Sequence, residues 1–242
     1  MTRTDNKAVA DFFKASSRDV TPGSLRQSVR VLYAPFANNH NISERCASVL
    51  SASERNRADR FTDEFERALF QQRRAFRRYC AAIAIGSSHP LSRFEFSETP
   101  KGRPYLAVLP GYWFSYSSCR YGFLGACSST HGVGIDLEDP GRNLDILELA
   151  GRFYTRAEAA AVERAEDQER RDTFFGLWNL KESALKSVGE GLPFGLDAFE
   201  FKLTPEPRLV QAPPEIGGTD RFSSHPVTGT DGCAALIIRE RA

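Results

Sequence analysis

Three carboxylates and one lysine, held in two short segments, are the residues whose types and spacing could support catalysis. The segment GVGIDLED carries Asp136 and Glu138, and the segment WNLKESALK carries Glu182 and Lys186. Residues two apart share a face of a strand, and residues four apart are neighbours on a helix. Carboxylates on one face repel unless a cation lies between them, and Mg²⁺ prefers oxygen ligands of this kind. The pattern predicts a magnesium ion beside a phosphate, with Lys186 on the phosphate.

Each segment alone has a plainer explanation. A D-x-E pair on a strand is usually solvated, and a Glu-to-Lys pair at four residues is normally a surface ion pair worth about 0.3–0.5 kcal/mol. The combination is more specific, because Trp178 precedes Glu182 by one helical turn. The aromatic residues Trp178, Phe174 and Phe175 themselves are expected to pack in the core.

The first pair needs a strand and the second needs a helix. Val133, Ile135 and Leu137 alternate with the acids, which predicts a strand with one buried face. RRDTFFGLWNLKESALKSVGEG is predicted as a helix ending at Gly189 or Gly191. The segment NLDILELAGRFYTRAEAAAVERA is predicted as the helix before it.

The rest of the chain supplies a second long helix and short strands. A helix is predicted from an N-cap at Ser51 or Ser53 through to Gly86. Short segments between residues 94 and 138 predict antiparallel strands, and VRVLYAPF, FEFKL and GCAALIIRE predict further strands, the last two separated by a loop at 205–232. The polar opening up to about residue 23 is expected to be a mobile tail.

Charge is distributed unevenly along the chain. Residues 1–131 contain 19 Lys and Arg against 11 Asp and Glu, whereas residues 132–242 contain 13 against 20, for a net charge of +1. A basic and an acidic half that meet at a cleft would suit an anionic ligand bound with a metal ion, although chance segregation of charge is the alternative. The chain contains no run of 18 apolar residues, so no membrane span is expected. Its five cysteines form no CxxC pair and leave one odd, which suggests a reduced, cytoplasmic protein.

Several segments together resemble a known family. GVGIDLE and WNLKESALKSVGEGL are similar to the paired signature of the Sfp-type 4′-phosphopantetheinyl transferases. RADRF, KGRPYL, WFSYSS, GRFYTRAE and GLPFGLDAFEF resemble further motifs of that family in the same order. The resemblance extends over roughly residues 28 to 240.

The resemblance implies a fold and an activity. The fold would be α+β, with two similar subdomains, each an antiparallel sheet plus helices, packed as an intramolecular pseudo-dimer. Residues 1–25 would be the mobile tail, 26–131 the basic subdomain that faces the coenzyme A phosphates, and 132–242 the acidic subdomain. The enzyme would transfer the 4′-phosphopantetheine arm of coenzyme A to a serine of an apo acyl or peptidyl carrier protein, releasing adenosine 3′,5′-bisphosphate. We expect a monomer with no nucleic-acid or membrane partner.

The resemblance also implies roles for individual residues. Asp136, Glu138 and Glu182 would bind Mg²⁺, Lys186 would contact the pyrophosphate, and Glu182 would act as general base unless a water on the metal accepts the serine proton. Coenzyme A would be bound by Lys186 together with a further set, namely Arg55, Arg57, Arg67, Gly102, Arg103, Pro104, Ser117 and Ser118.

The segment WFSYSSC departs from the family pattern. Ser117 and Ser118 stand where many relatives have Ser-His, so Ser118 can hydrogen-bond but brings no charge. Either Arg120 or His131 compensates, or coenzyme A binds more weakly.

The cluster QQRRAFRRY resembles a nucleic-acid patch, but no nucleic-acid motif surrounds it and the net charge is near zero. Within it, Arg73 and Arg77 are expected to be solvated, and Arg74 and Arg78 to face the cleft.

Two other functions remain open. A non-catalytic carrier-binding relative would bind carriers without modifying them, and a magnesium-dependent phosphohydrolase would release phosphate from nucleotides without a carrier. The intact carboxylate trio argues against the first, and the lack of a water-activating histidine or second metal cluster argues against the second. Fatty-acid, polyketide and nonribosomal-peptide carriers all remain candidate substrates.

Overall fold

The computed structural model describes residues 3–189 and 195–241, and it is an α+β structure of two halves. Each half combines an antiparallel sheet with one long helix that packs on it. Within those ranges, no helix combines the length and the apolar character needed to cross a membrane.

The first half is built around a four-stranded sheet of order β1-β2-β6-β5. Its helices are α1 (Arg3–Ser16), α2 (His40–Ser48), α3 (Ala52–Ala58) and α4 (Glu64–Ala84). Its strands are β1 (Arg18–Asp19), β2 (Arg30–Pro35), β3 (Ser97–Glu98), β4 (Pro104–Tyr105), β5 (Trp113–Cys119) and β6 (Gly122–Ser128), with β3 and β4 forming a separate ribbon.

The second half is built around a three-stranded sheet of order β10-β11-β7. Its helices are α5 (Ile146–Phe153), α6 (Arg156–Arg164) and α7 (Asp167–Val188). Its strands are β7 (His131–Glu138), β8 (Glu200–Lys202), β9 (Arg208–Gln211), β10 (Phe222–Pro226) and β11 (Cys233–Glu240), with β8 and β9 forming a second ribbon.

The two sheets share an apolar core, and the helices cover their outer faces. Alternate residues of β7, namely Val133, Ile135 and Leu137, are buried against residues of β2, β6 and β11. The intervening positions of β11 and β2 pack on the helices of their own halves. The predicted alternation along β7 is therefore confirmed, and it turns Asp136 away from the apolar core between the sheets.

Helix α7 lies unusually close to β7. A Cβ atom built on Gly134 would lie 1.7 Å from the Ser183 carbonyl oxygen, and one on Gly132 would lie 2.6 Å from the Ser187 carbonyl oxygen. Only glycine fits at these positions, since both obstacles are backbone atoms. The GVG of the sequence therefore brings the acids of β7 next to the charged residues of α7.

The opening of the chain was predicted wrongly. Residues 3–16 form α1, and Val9 and Phe13 are buried, so the expected unstructured tail is instead a packed helix. The Phe13 ring lies 5.5 Å from the Phe76 ring of α4. The apolar spacing of Val9 and Phe13 is helical, and burial of such side chains outweighs the polar composition of the segment.

Two predicted helices are each divided in the structure. The helix expected from Ser51 to Gly86 breaks after α3, because Asp63 caps a new helix by accepting from the Glu66 amide. Ser51, not Ser53, caps α3 in a capping box with Glu54. In the same way Thr155 caps α6, which separates it from α5.

The end of the chain agrees in part with the prediction. Gly189 ends α7 in the left-handed conformation, with a φ of 74°, while the alternative end, Gly191, lies outside the described residues. The predicted loop at 205–232 also contains β9 and β10. Trp178 packs in the second core as predicted, with its ring 5.7 Å from that of Phe174.

Candidate active site

Asp136 is the central buried acid of the site. Its side chain is 4% exposed, and its Oδ1 atom accepts from Lys186 Nζ at 2.6 Å and from Ser117 Oγ at 2.8 Å. Its Oδ2 atom is buried and has no hydrogen-bond partner. Lys186 Nζ also donates to the Ile135 carbonyl oxygen at 3.3 Å. A buried carboxylate oxygen without a partner is costly, so this atom is suited to a cation.

The other two carboxylates lie close enough to Asp136 to repel it. Burial raises the pKa of Glu182, and the charges of Asp136 and Glu138 raise it further, while Lys186 acts against the rise. Burial and Asp136 also raise the pKa of Glu138, although Arg142 Nη1 donates to Glu138 Oε2 at 2.9 Å. The carboxylates predicted from two distant segments are therefore near one another.

The donor set is suited to a hard divalent cation. It offers carboxylate oxygens only, one of them buried and unpartnered, and Mg²⁺ commonly combines one or two carboxylates with waters and substrate phosphates. Across the described ranges, no three His, Cys, Asp or Glu side chains are already gathered at ligand spacing. The Lys186 ammonium instead sits on Asp136, where it serves as the local counter-charge.

A cavity of about 300 Å³ opens beside these residues, where α4, β5 and α7 meet. Glu182 and Lys186 line it from α7, Tyr116 lines it from β5, and Arg77 lines it from α4. The turn between β3 and β4 supplies the remaining wall, with Lys101, Gly102, Arg103 and Pro104. The lining is rich in cationic groups, which suits a polyanionic ligand.

Arg103 is held in the cavity wall by stacking. Its guanidinium carbon lies 4.1 Å from the centre of the Trp113 ring. A Cβ atom on Gly189 would lie 2.9 Å from Arg103 Cδ, so this glycine leaves room for the stack at the end of α7. Burial and the nearby Arg241 lower the pKa of Arg103. Arginine suits this position because its planar group can stack and still donate.

Comparison with known proteins identifies the family. The family model described as the 4′-phosphopantetheinyl transferase superfamily matches residues 132–230. HetI, a 4′-phosphopantetheinyl transferase of Nostoc sp., is 29% identical over 217 residues, which cover 88% of each chain. The Synechocystis sp. protein slr0495 provisionally bears the same transferase name. It is 30% identical over 193 residues, covering 76% of this chain and 75% of that protein. This chain belongs to the 4′-phosphopantetheinyl transferase superfamily.

A third relative bears on the Sfp-type resemblance. The 4′-phosphopantetheinyl transferase Sfp of Bacillus subtilis (strain 168) is 34% identical over 113 residues, covering 46% of this chain and 49% of that protein. The resemblance inferred from GVGIDLE and WNLKESALKSVGEGL is confirmed.

The transferase fold brings several of the predicted residues together. Gly102, Arg103, Pro104, Glu182 and Lys186 line one cavity, although they come from distant segments. Ser117 and Ser118 point to opposite sides of β5, as successive strand residues must. Ser117 donates to Asp136, and Ser118 accepts from Arg73 Nη1 at 3.3 Å.

The other three arginines predicted to hold coenzyme A do not line this cavity. Arg55 donates to the Leu50 carbonyl oxygen, Arg57 stacks 5.6 Å from the Phe70 ring, and Arg67 lies 3.9 Å from Glu64. Their part in binding coenzyme A stays a prediction. Neither proposed substitute for the missing histidine lines the cavity: His131 bonds to Thr130, and Arg120 lies by Tyr121.

The arginines of α4 were assigned to the wrong surroundings. Arg77, expected to be solvated, lines the cavity, and Arg73, also expected to be solvated, is partly buried against β5. Arg78, expected to face the cleft, is 1% exposed and makes a two-atom ion pair with Glu54, at 2.6 Å from Arg78 Nη2 to Glu54 Oε2. Arg74 is 12% exposed, 3.9 Å from Glu54. Helical spacing groups Arg73 with Arg77, but only the packing shows that their face meets β5.

Lys181 is a further buried charge that the sequence reasoning missed. Its ammonium lies 2.6 Å from Glu158 Oε2 and donates to the carbonyl oxygens of Leu196 and Phe199. Its neighbour Glu182 faces the cavity. The lysine therefore fixes α7 to the segment at 196–199 and so fixes the direction of Glu182. The segment WNLKES contains the only sequence signal for this role of Lys181. Because Lys181 directly precedes Glu182, the two side chains must point to different faces of the helix.

Proposed function

We propose that this protein transfers the 4′-phosphopantetheine arm of coenzyme A to a serine of an apo acyl or peptidyl carrier protein, in a magnesium-dependent reaction. The observation that carries the proposal is the buried Asp136, bonded to Lys186 beside a cavity that also contains Glu182 and Arg103. Membership of the superfamily and the names of HetI and Sfp support the same activity.

The cations of the cavity would bind and orient the diphosphate. Lys186 and Arg103 both line the cavity and can each donate to phosphate oxygens. When bound, Mg²⁺ would supply charge neutralisation for the diphosphate, with Asp136, Glu138 and Glu182 as its protein ligands. Lys186 would then exchange its bond to Asp136 for a phosphate oxygen, because its side chain both contacts Asp136 and lines the cavity.

Glu182 is the residue best placed to accept the serine proton. Its carboxylate lines the cavity beside Lys186, so it lies where a serine that attacks the diphosphate would approach, and a general base must be within hydrogen-bond reach of the proton. In the step, the serine Oγ bonds to the phosphorus that carries the pantetheine arm. The bond from that phosphorus to the bridging oxygen breaks, adenosine 3′,5′-bisphosphate leaves, and the serine proton moves to Glu182. Negative charge develops on the leaving bisphosphate in this step, so cations are needed around it.

We further propose that one chain is sufficient for the reaction. The groups that line the cavity come from both halves of the same chain, with Arg77 and Arg103 from the first and Glu182 and Lys186 from the second. This placement supports a monomeric enzyme, because both halves of the cavity lining belong to one chain.

The test is an assay with coenzyme A, MgCl₂ and a panel of apo carrier domains. We expect a carrier mass increase of one phosphopantetheine arm, and its loss in folded Asp136→Ala and Glu182→Ala variants. Glu215→Ala, at an exposed acid that is not part of the cavity lining, should retain activity. Carrier binding without modification would support the non-catalytic alternative. Phosphate release from nucleotides without a carrier would support the phosphohydrolase.

A further inference from the structure

Two arginines of α4 lie along two residues of β5 in matching register. Arg73 Nη1 donates to Ser118 Oγ at 3.3 Å, and the Arg77 guanidinium carbon lies 5.2 Å from the centre of the Tyr116 ring. Tyr116 in turn donates to the Arg77 carbonyl oxygen at 3.2 Å. The pairs match because residues four apart on a helix and two apart on a strand each stay on one face. The two guanidinium groups therefore form a row that ends in the cavity at Arg77.

The two arginines of this row are not held in ion pairs. Within the described residues, neither Arg73 nor Arg77 forms a salt bridge, and the acids whose charges act on them, Glu66 and Glu98, lie beyond ion-pair distance. Their neighbour Arg78 instead pairs with Glu54. The Nε atoms of Arg73 and Arg77 are buried without a hydrogen-bond partner. Those of Arg74 and Arg78 are too, but these two arginines have Glu54 as an ion-pair partner. Unpartnered buried donors are rare in folded proteins and call for an explanation such as a missing ligand.

The arginines also repel one another. Burial lowers the pKa of Arg77 to about 9, and the charges of Arg74 and Arg73 contribute to that fall. Burial and Arg74 likewise lower the pKa of Arg73. An anion placed against the row would satisfy the free donors and remove the repulsion together. Guanidinium groups prefer planar or tetrahedral oxyanions that accept two parallel hydrogen bonds, and phosphate is the chief example.

We propose that Arg73, Arg77 and the Ser118 hydroxyl form a phosphate subsite for the substrate. The inference rests on the proposed function, because the phosphate is taken to belong to coenzyme A bound in the adjoining cavity. Many relatives have a histidine at the position of Ser118, and serine brings no charge there. In this chain the Arg73 guanidinium, which donates to Ser118 Oγ, supplies the positive charge. The subsite thus explains how a chain with serine here holds a phosphate group.

The test measures the Kd of coenzyme A by calorimetry for the wild type and for Arg73→Gln, Arg77→Gln and Arg77→Lys. Each glutamine variant should bind about tenfold more weakly or worse, since a charge-assisted hydrogen bond to a phosphate is lost. Arg77→Lys should recover part of the affinity. Arg45→Gln removes an exposed arginine of α2 and should bind as the wild type does. Affinities of both glutamine variants within twofold of the wild type would overturn the subsite.

The same titrations with 3′-dephospho-coenzyme A show which phosphate occupies the row. Affinity lost for coenzyme A alone assigns the row to the 3′-phosphate, and affinity lost for both ligands assigns it to the diphosphate; either result supports the subsite. Thermal melting identifies folded variants, and Arg73→Gln, the less enclosed change, keeps the test available if Arg77→Gln unfolds.

The carrier assay separates the two proposals. Arginine-dependent binding of coenzyme A with no transfer to any carrier would overturn the proposed function alone. If the chain transfers the arm to a carrier but replacing either arginine leaves the Kd of coenzyme A unchanged, the subsite alone is overturned. A wild-type chain that binds neither form of coenzyme A would overturn both.

Discussion

Lys186 Nζ lies 2.6 Å from Asp136 Oδ1, although 50 residues separate the two in the chain. The lysine belongs to α7 and the acid to β7, and the pair is possible because the helix lies directly on the strand. The glycines of GVG allow that approach. The chemistry of the site therefore depends on a backbone contact as well as on charged residues.

Gly134→Ala should separate the helix from the strand. Its new Cβ atom would lie 1.7 Å from the Ser183 carbonyl oxygen, and backbone cannot yield as a flexible side chain can. We expect a loss of about 3 kcal/mol or more in the free energy of unfolding, measured by urea denaturation. Gly151→Ala in α5 is the control, since nothing lies within 4 Å of its added Cβ atom, and it should stabilise by up to about 1 kcal/mol. Equal effects of the two changes would contradict this account.

Magnesium should stabilise the folded chain through Asp136. At about 100 times its Kd, a ligand of the folded state adds about 2.7 kcal/mol, or about 5–10 °C in Tm for a chain of this size. We expect that rise in differential scanning calorimetry and its reversal by EDTA. Asp136→Asn should abolish it, while Glu215→Gln at an exposed acid should not. An unchanged shift in Asp136→Asn would remove this aspartate from the metal site.

Ser117 should orient Asp136 for metal binding. Its hydroxyl donates to Asp136 Oδ1 at 2.8 Å, and partners of metal ligands typically change metal affinity by about 10–100-fold. Ser117→Ala should raise the Kd for Mg²⁺ by about tenfold, measured by the magnesium dependence of Tm. Ser117→Thr keeps the hydroxyl and suits a strand, so it should restore the affinity. If alanine and threonine behave alike, the hydroxyl is not the cause.

The buried pair of Glu54 and Arg78 should make stability depend on pH. Burial acts to raise the pKa of Glu54, but the hydrogen bond and charge of Arg78 outweigh it, so the folded pKa is lowered. A lowered carboxyl pKa stabilises the fold above the unfolded value of about 4.3 and ceases to do so as pH falls through the folded value. Glu54→Gln should therefore cost about 3 kcal/mol at pH 7 and progressively less below about pH 4.3.

The control for that experiment is Glu44→Gln, at an exposed acid of α2. Its free energy of unfolding should follow that of the wild type at every pH. A difference between Glu54→Gln and the wild type that stays constant from pH 7 to pH 3 would mean that the ion pair is not responsible.

The site was more predictable from the sequence than its surroundings. The alternation of β7 and the helical spacing of Glu182 and Lys186 are local properties, so both could be predicted from the sequence. The structure brings these residues together. The role of Arg77 could not be read, because every face of α4 carries arginine or apolar residues and only the packing on β5 distinguishes them. The helix breaks at Asp63 and Thr155 depend on single capping hydrogen bonds, which compete closely with a continuous helix. Helix α1 was missed because its burial depends on Phe76, far along the chain.

The short link at residues 129–130, between β6 and β7, has a practical consequence. It divides the chain so that Arg77 and Arg103 fall on one side and Asp136, Glu182 and Lys186 on the other. Two separately expressed pieces cut at this link would each lack half of the reacting groups. Turnover would return only when the pieces reassociate, so fusing each to one of two other proteins would turn carrier labelling into a reporter of their encounter.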